Sequence, residues 1–273
     1  MKESHMSICK INPLHGGVNA LFERNGFAIT RCVHCGLIMA DCPFAHDQYE
    51  ADSYYTMRWT DQASIYSHWA FRWRWIARKI ERMKPNGSIL DVGAGNGSFV
   101  KIAREEYCLR PTGIETSRAE VEFAKRVLDE DLRHQSLEQV KSKFDVVTGF
   151  NVIEHVSDPI ALLHEMAGRT KQDGLIVLTT PSPRSIQARV LGLERWEMIC
   201  PPHHLNIFTQ MALAQSLATV GFEVVEYDTL STYINFVRRI EGDRNILREL
   251  FFQAFRLLGI GADHFVIARR IAA

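Results

Sequence analysis

The sequence has no excess of either charge, since 32 Lys and Arg are balanced by 32 Asp and Glu. No global field therefore steers the chain toward nucleic acid or an anionic membrane, and any such role must rest on a local patch. It also lacks an apolar run of the ~18 residues that a membrane span requires, and it lacks a basic-then-apolar leader with a cleavage site. A soluble chain with a cytoplasmic location is the expectation. Cysteine is scarce beyond residue 42: the six lie at 9, 32, 35, 42, 108 and 200. Without an export signal, that clustering points to a metal or to packing before disulfides. The isolated Cys108 and Cys200 read as small buried hydrophobes. With 46% hydrophobic and 23% charged residues, the 273-residue chain is long enough for one main domain and a small appendage.

The chain is organised around Ser88 to Phe99. An apolar strand, Ile89 to Val92, runs into Gly93-Ala94-Gly95-Asn96-Gly97 and then into a helical pattern. Such a turn lets a nucleotide-sized ligand touch bare backbone. Glu115 closes the next apolar run, at the ~20-residue spacing that brings an acid on a second strand to a ribose hydroxyl. The glycines are spaced GxGxG, and Asp91 stands inside the turn, where it would repel a pyrophosphate. A ligand with a ribose and a cation in place of phosphates suits that pair of acids.

Downstream, strand and helix patterns alternate. Helices are expected at about 97–106, 117–128, 158–170 and 210–220. Strands are expected at 111–115, 132–135, 144–150, 174–180, 222–228 and 264–270. This alternation predicts a parallel sheet with helices on both faces and a ligand at the carboxyl ends of its strands. Upstream, residues 69–84 repeat apolar residues at helical spacing (Trp69, Trp73, Ile76, Ile80, Met83) among Arg72, Arg74, Arg78, Lys79, Arg82 and Lys84. The expected arrangement is a helix against the sheet with a solvated basic back. Residues 52–68 are polar and aromatic without a clear period and could close over a substrate.

Two segments carry candidate chemistry. Asn151-Val152-Ile153-Glu154-His155 follows the fourth strand and places an imidazole and a carboxylate at the sheet end that holds the glycine loop. Cys200-Pro201-Pro202-His203-His204-Leu205 follows the fifth, with prolines expected to hold it extended and Thr209 to cap the next helix. His155, His203 and His204 are thus expected to meet as a base or substrate-orienting group, with metal binding or a purely structural role as alternatives. In residues 1–50, Cys32-Val33-His34-Cys35-Gly36 is a knuckle suited to zinc. Cys9 is the third candidate ligand, and His15, Cys42 or His34 the fourth; Cys9, His15, Cys32 and Cys35 form the working set, against a metal-free remnant held by packing.

LDVGAGNGSF followed by GIETS resembles motif I and the second-strand acid of class I S-adenosylmethionine-dependent methyltransferases. The resemblance implies an α/β fold: a Rossmann-like seven-stranded sheet over 51–273, preceded by a small zinc-ribbon-like module at 1–50. It also implies S-adenosylmethionine as cofactor, held by Asp91, Gly93, Ala94, Gly95, Asn96, Glu115, Thr116 and Asn151, with Ser136 and Leu137 at the adenine. EHV-DP at Glu154 to Pro159 and PPHHLNIFT resemble segments of the ubiquinone-biosynthesis O-methyltransferases. In some relatives, and in small-RNA 2′-O-methyltransferases, a Glu, Glu, His set binds a divalent ion; here the first position is Asn151. The implied activity is methyl transfer to an oxygen of a small molecule such as a sugar, polyketide or quinone precursor, with His155 first as base, then His203 or His204, beside Glu154. RNA methylation and a non-catalytic scaffold are the alternatives. The insertion near 181–205 is expected to help wall the acceptor pocket, and the one near 230–262, with its apolar stretch 246–258, to serve as a lid, a homodimer contact, a dock for a hydrophobic acceptor or a core element.

Overall fold

The computed structural model describes residues 8–42, 62–231 and 246–271. Of the expected aromatic cover at 52–68, 52–61 lie outside these residues and 62–68 form the first turns of a helix, Gln62–Met83; the middle of the second insertion also lies outside. In chain order the elements are β1 (Val18–Arg24), β2 (Phe27–Cys32), β3 (Ile38–Ala40), α1 (Gln62–Met83), β4 (Ser88–Val92), α2 (Ser98–Glu105) and β5 (Arg110–Glu115). Then come α3 (Arg118–Phe123), which runs on as a π-helical turn, β6 (Arg133–His134), β7 (Phe144–Phe150), α4 (Pro159–Gly168) and β8 (Thr170–Pro181). The chain finishes with α5 (Ile186–Leu191), β9 (Asn206–Ile207), α6 (Gln210–Thr219), β10 (Phe222–Leu230), α7 (Ile246–Leu257) and β11 (Asp263–Arg270).

The main sheet has seven strands in the order β10-β11-β8-β7-β4-β5-β6. The pairings among β4 to β8 are parallel, and β11 enters antiparallel between β8 and β10. Strand order reverses between β4 and β7, so the loops after these two strands part and leave a crevice at their carboxyl ends. The apolar runs that show no polar alternation are buried on both faces. Ile89, Val146, Val177 and Phe265 pack under α1 and α2, whereas Leu90, Val147, Ile176 and Val266 pack under α4 and α6.

Caps fix where the helices begin. Asp158 Oδ1 accepts from the amides of Ile160 and Ala161 with Pro159 in the first turn of α4, and Thr209 Oγ1 accepts from Ala212 N to start α6, as its position suggested. The N-terminal strands do not stand apart. β3 pairs with β9, which completes a four-stranded sheet β1-β2-β3-β9, and Cys9, Leu37 and Met39 join the same core as α4 and α6.

Three expectations are corrected. Arg72 is not on a solvated back: it is 1% exposed, and its Nη1 donates to Asp263 Oδ2 at 2.5 Å and its Nη2 to Asn151 Oδ1 at 3.1 Å. One turn of α1 faces the sheet edge there, which periodicity of apolar residues does not register. Cys108 is exposed and Cys200 half-buried, because both sit in loops rather than on packed faces. The Pro201-Pro202 segment is a turn and not an extended strand, closed by the amide of His203 donating to the carbonyl of Cys200 at 2.9 Å. The apolar stretch 246–258 supplies core through Phe252, which packs edge-on against Phe71 and Trp75, while Leu250 and Leu257 face solvent. No helix among the described residues is long and apolar enough to cross a membrane.

Removing one partner of a buried ion pair strands the other charge. Arg72→Ala is therefore expected to lower stability by about 3–5 kcal/mol in urea unfolding. Glu106→Ala, which breaks the exposed pair with Arg74 on the same helix, should cost less than about 1 kcal/mol.

Candidate active site

The glycine loop leaves β4 with positive φ at Gly93 (65°), Gly95 (51°) and Gly97 (76°). A Cβ on Gly93 would stand 2.8 Å from Val152 Cγ2, whereas one on Gly95 would meet nothing within 4 Å. The backbone at Gly95 thus borders open space, and at Gly93 it presses against the chemistry-bearing loop after β7. Parallel pairing of β4 with β5 brings Glu115 to this rim, where its Oε2 accepts from Gly95 N at 2.9 Å. Its Oε1 accepts from the amides of Thr116 and Ser117. Ala94 N donates to Ile114 O, and Asn96 Oδ1 accepts from Ser98 N at the start of α2. Ser136 begins a short 3-10 turn with Leu137 buried behind it, next to the tip of β5.

Asp91 lies beneath the loop at 2% exposure and accepts from Thr148 Oγ1 at 2.6 Å. Burial pushes its carboxyl up to about 7, against the Thr148 hydrogen bond and with help from nearby Glu115. Asp91 is therefore not the exposed anion in the turn that its position suggested; the Glu115 carboxylate on the Gly95 amide is the acid at the rim, and it disfavours a phosphate and favours a ligand carrying a ribose and positive charge. S-adenosylmethionine has both, and the bare backbone at Gly95 and the carboxylate at its rim fit it.

The loops after β7 and β8 bring the rings of His155 and His204 together, with the backbone of His203 beside them. His155 Nδ1 lies 2.8 Å from the carbonyl of His203, and His204 Nδ1 lies 2.6 Å from that of Met198. A carbonyl only accepts, so both Nδ1 atoms carry hydrogen and both Nε2 atoms keep their lone pairs. The two rings are 4.8 Å apart, and His155 Nε2 is 4.0 Å from Glu154 Oε1. Glu154 is buried. Its Oε2 accepts from Thr180 Oγ1 at 2.9 Å, while its Oε1 receives no hydrogen bond from the described residues. Burial raises the Glu154 carboxyl to about 7 and lowers His155 to about 4. His204 is likewise lowered by burial, opposed by the charge of Glu154. His203 contributes its backbone carbonyl. Ligand atoms of Glu154, His155 and His204 lie within 4.8 Å of one another, a set that could also take a divalent cation. Asn151, at a left-handed φ of 54°, accepts through its Oδ1 from Arg72 and from Thr179 Oγ1.

The structure brings His15 to the three cysteines: one ligand atom each of Cys9, His15, Cys32 and Cys35 lies within 4.8 Å of the others. Cys9 Sγ to Cys35 Sγ is 3.6 Å, and Cys32 Sγ to His15 Nδ1 is 3.6 Å. Tetrahedral zinc with usual bond lengths places two sulfurs roughly 3.8 Å apart and a sulfur and a nitrogen roughly 3.6 Å apart. The donor set and spacing fit zinc. Burial opposes ionisation of Cys32, but the amides of Cys35 and His34 aimed at its sulfur hold the thiol below its usual range.

Sequence reasoning missed Thr148, Gly113 and Asn206. Gly113 had a signal, since a lone glycine inside a strand marks a close approach. A Cβ there would stand 2.5 Å from Leu132 Cδ2 and 3.0 Å from Ala94 Cβ, so it makes room for the turn of the glycine loop. Asn206 is fully buried and donates through Nδ2 to the carbonyl of Val156 at 2.7 Å; a polar residue in a two-residue strand gives no pattern to read.

This arrangement, a doubly wound parallel sheet finished by an antiparallel strand with its crevice at the glycine loop, defines the class I methyltransferase fold. A family model described as a methyltransferase domain matches residues 66–227, and the chain belongs to that family. Among curated relatives it is 29% identical over 159 residues to the ubiquinone biosynthesis O-methyltransferase of Xanthomonas axonopodis, covering 52% of this chain and 66% of that protein. It is also 29% identical over 142 residues to the enzyme of the same name from Maricaulis maris, covering 48% and 55%. The chain thus spans less than two thirds of the length of these relatives. Solved structures share the fold: a methyltransferase described as S-adenosylmethionine-dependent from Archaeoglobus fulgidus (TM-score 0.52, 18% identity, 77% of this chain and 100% of that one) is one. The cyclase SpnF is another (TM-score 0.52, 18% identity, 75% and 82%).

Two outcomes follow from this geometry. Gly93→Ala forces a Cβ into Val152 at a left-handed φ, and should weaken S-adenosylmethionine about tenfold or more in equilibrium dialysis. Metal analysis of the purified chain should find one zinc per chain, lost in a Cys32→Ser/Cys35→Ser variant.

Proposed function

We propose that the chain is an S-adenosylmethionine-dependent methyltransferase acting on an oxygen of a small-molecule acceptor. The observation that carries this reading is the pair of imidazoles, His155 and His204, 4.8 Å apart at the sheet end that also bears the glycine loop, each lowered toward its neutral form by burial and each with its Nδ1–H on a backbone carbonyl. A base there is useful only if the acceptor loses a proton as it is methylated, which a hydroxyl does. S-adenosylmethionine, when bound, supplies a methyl group already activated on a sulfonium. Gly93, Ala94, Gly95 and Asn96 would hold it by their backbone and Glu115 with Thr116 by charge and hydrogen bonds, with Asp91 supporting the loop from beneath on Thr148, and Ser136 and Leu137 at the adenine; Asn151 follows β7 at the same sheet end.

The protein's own tasks are alignment and proton removal. His155 takes the acceptor proton at Nε2, while its Nδ1–H stays on the carbonyl of His203 and fixes the ring. Glu154, as a carboxylate, stabilises the imidazolium so formed. His204 and His203 orient the acceptor from the loop after β8, and the segment 181–205 walls the pocket. The same trio read as a divalent-cation site is favoured by one observation, the buried Glu154 Oε1 without a donor. In that case Glu154, His155 and His204 would hold the ion and it would lower the pKa of the hydroxyl; in a chain whose zinc content is unchanged, turnover would then depend on added Mg²⁺ or Mn²⁺, and the base reading expects no such dependence.

Neutral overall charge argues against RNA as acceptor, as does the pairing of Arg72 with Asp263 and of Arg74 with Glu106 on the most basic helix. A non-catalytic scaffold would bind cofactor and consume none, and a screen of donor consumption across hydroxylated metabolites separates the two.

His155→Ala is expected to cost about 10²–10⁴-fold in turnover with cofactor affinity retained. Turnover at wild-type full activity would remove the base assignment. The pH profile has a definite sign: below about 7 Glu154 is protonated and offers the imidazolium no countercharge, so the rate should rise with pH and level off above about 7. Glu154→Gln should lower the plateau and abolish that limb.

A further inference from the structure

The cysteine centre and the histidine loop are joined by an unbroken run of short contacts. β3 follows the Cys32–Cys35 knuckle directly and pairs antiparallel with β9, Ile38 against Ile207 and Met39 against Asn206. The amide of Ala40 donates to the carbonyl of Leu205 at 3.0 Å. Leu205 and Asn206 in turn donate their amides to the carbonyl of Glu154, at 2.8 and 3.1 Å. One two-residue strand is therefore stitched to the knuckle on one side and to the Glu154-His155 segment on the other, and His203 and His204 immediately precede it.

A second strut runs from the knuckle itself. Thr209 Oγ1 donates to the carbonyl of Cys35 at 2.6 Å and accepts from Ala212 N, so one hydroxyl ties the centre to the first turn of α6. Gly36, at φ +73°, leaves only 3.0 Å between a would-be Cβ and Thr209 Cγ2, so the two surfaces meet in contact. Asn206 completes the tie by donating to the carbonyl of Val156, just beyond His155. The glycine loop and Glu115 take no part in these contacts.

We infer that the Cys9–His15–Cys32–Cys35 centre is a clamp for the histidine loop: zinc held there fixes β3, and through β9 and Thr209 it sets where His204 and the carbonyl of His203 meet His155. Thr209 and Asn206 are positioning residues, since neither lies among the groups that take the proton. The β1-β2-β3 unit is thus a brace built into the acceptor side of the site rather than a separate recognition module. The inference rests on the reading of the histidine trio as the chemical centre, but its geometry is independent of what the trio does.

The test uses the full chain. Zinc is removed with a chelator in one arm. In the other, Thr209→Val keeps all four metal ligands and the side-chain shape but loses the hydroxyl, with Thr209→Ser as the conservative control. The readouts are zinc content, the nitrogen chemical shifts and exchange protection of the His155 and His204 Nδ1–H groups, S-adenosylmethionine affinity, and turnover where an acceptor is known. The clamp predicts that zinc removal and Thr209→Val both expose the His155 Nδ1–H to exchange. Turnover should fall roughly 10- to 100-fold, while cofactor affinity stays within about twofold of the parent. Thr209→Ser should restore parental signals. Histidine signals unchanged in the zinc-bearing Thr209→Val chain, or unchanged on zinc removal, would overturn it. Should the chain transfer no methyl group while the histidine signals still follow the metal, the clamp stands and the methyl-transfer reading falls.

Discussion

Parallel pairing of β4 with β5 on one side and with β7 on the other is the constraint on which the site depends. It sends the glycine loop, Glu115 and the Asn151–His155 segment out of the same sheet end, from three neighbouring strands. The packing around it is unforgiving. Gly93 touches Val152 and Gly113 accommodates Ala94, so the cofactor loop, the next strand and the chemistry-bearing loop are mutually fitted. A shift of β4 by one residue would turn Asp91 from its Thr148 partner and exchange the two packed faces of the strand.

The crevice has two walls of different character. The donor side is acidic and made largely of backbone, with Asp91 buried beneath it. The acceptor side is made of imidazoles and a carboxyl group held in a dry environment, each driven by burial toward its neutral form. Neutral imidazoles with fixed Nδ1–H donors are ready to accept at Nε2 without first losing a proton to solvent. Such a wall suits an acceptor that must be deprotonated as it reacts, whereas the acidic donor wall suits a cation. The cyclase among the fold's neighbours shows that the sheet alone does not dictate methyl transfer, and the weight of the functional reading falls on these side chains.

Much of this was legible in the residues. The seven strands, the glycine loop with Glu115, the convergence of His155 with His203 and His204, and the Thr209 cap follow from local pattern and from the rule that parallel strands deliver their loops to one end. What escaped depends on contacts between residues far apart in sequence. Nothing near Asn151 announces that Arg72 will take its oxygen, and a basic helical stretch does not reveal which arginine turns inward. The approach of His15 to the three cysteines is likewise tertiary. β3 and β9 are too short for a periodicity to exist, so their pairing, which ties the cysteine module to the histidine loop, could not be read from either.

The most direct test of the central claim is a crystal structure of the chain grown with saturating S-adenosylmethionine. The account predicts cofactor density with the ribose hydroxyls on Glu115, the methionine end over Gly93 to Gly95, and the sulfonium methyl directed across the crevice toward His155. An empty glycine loop at saturating cofactor, or a cofactor bound elsewhere on the sheet, would contradict it.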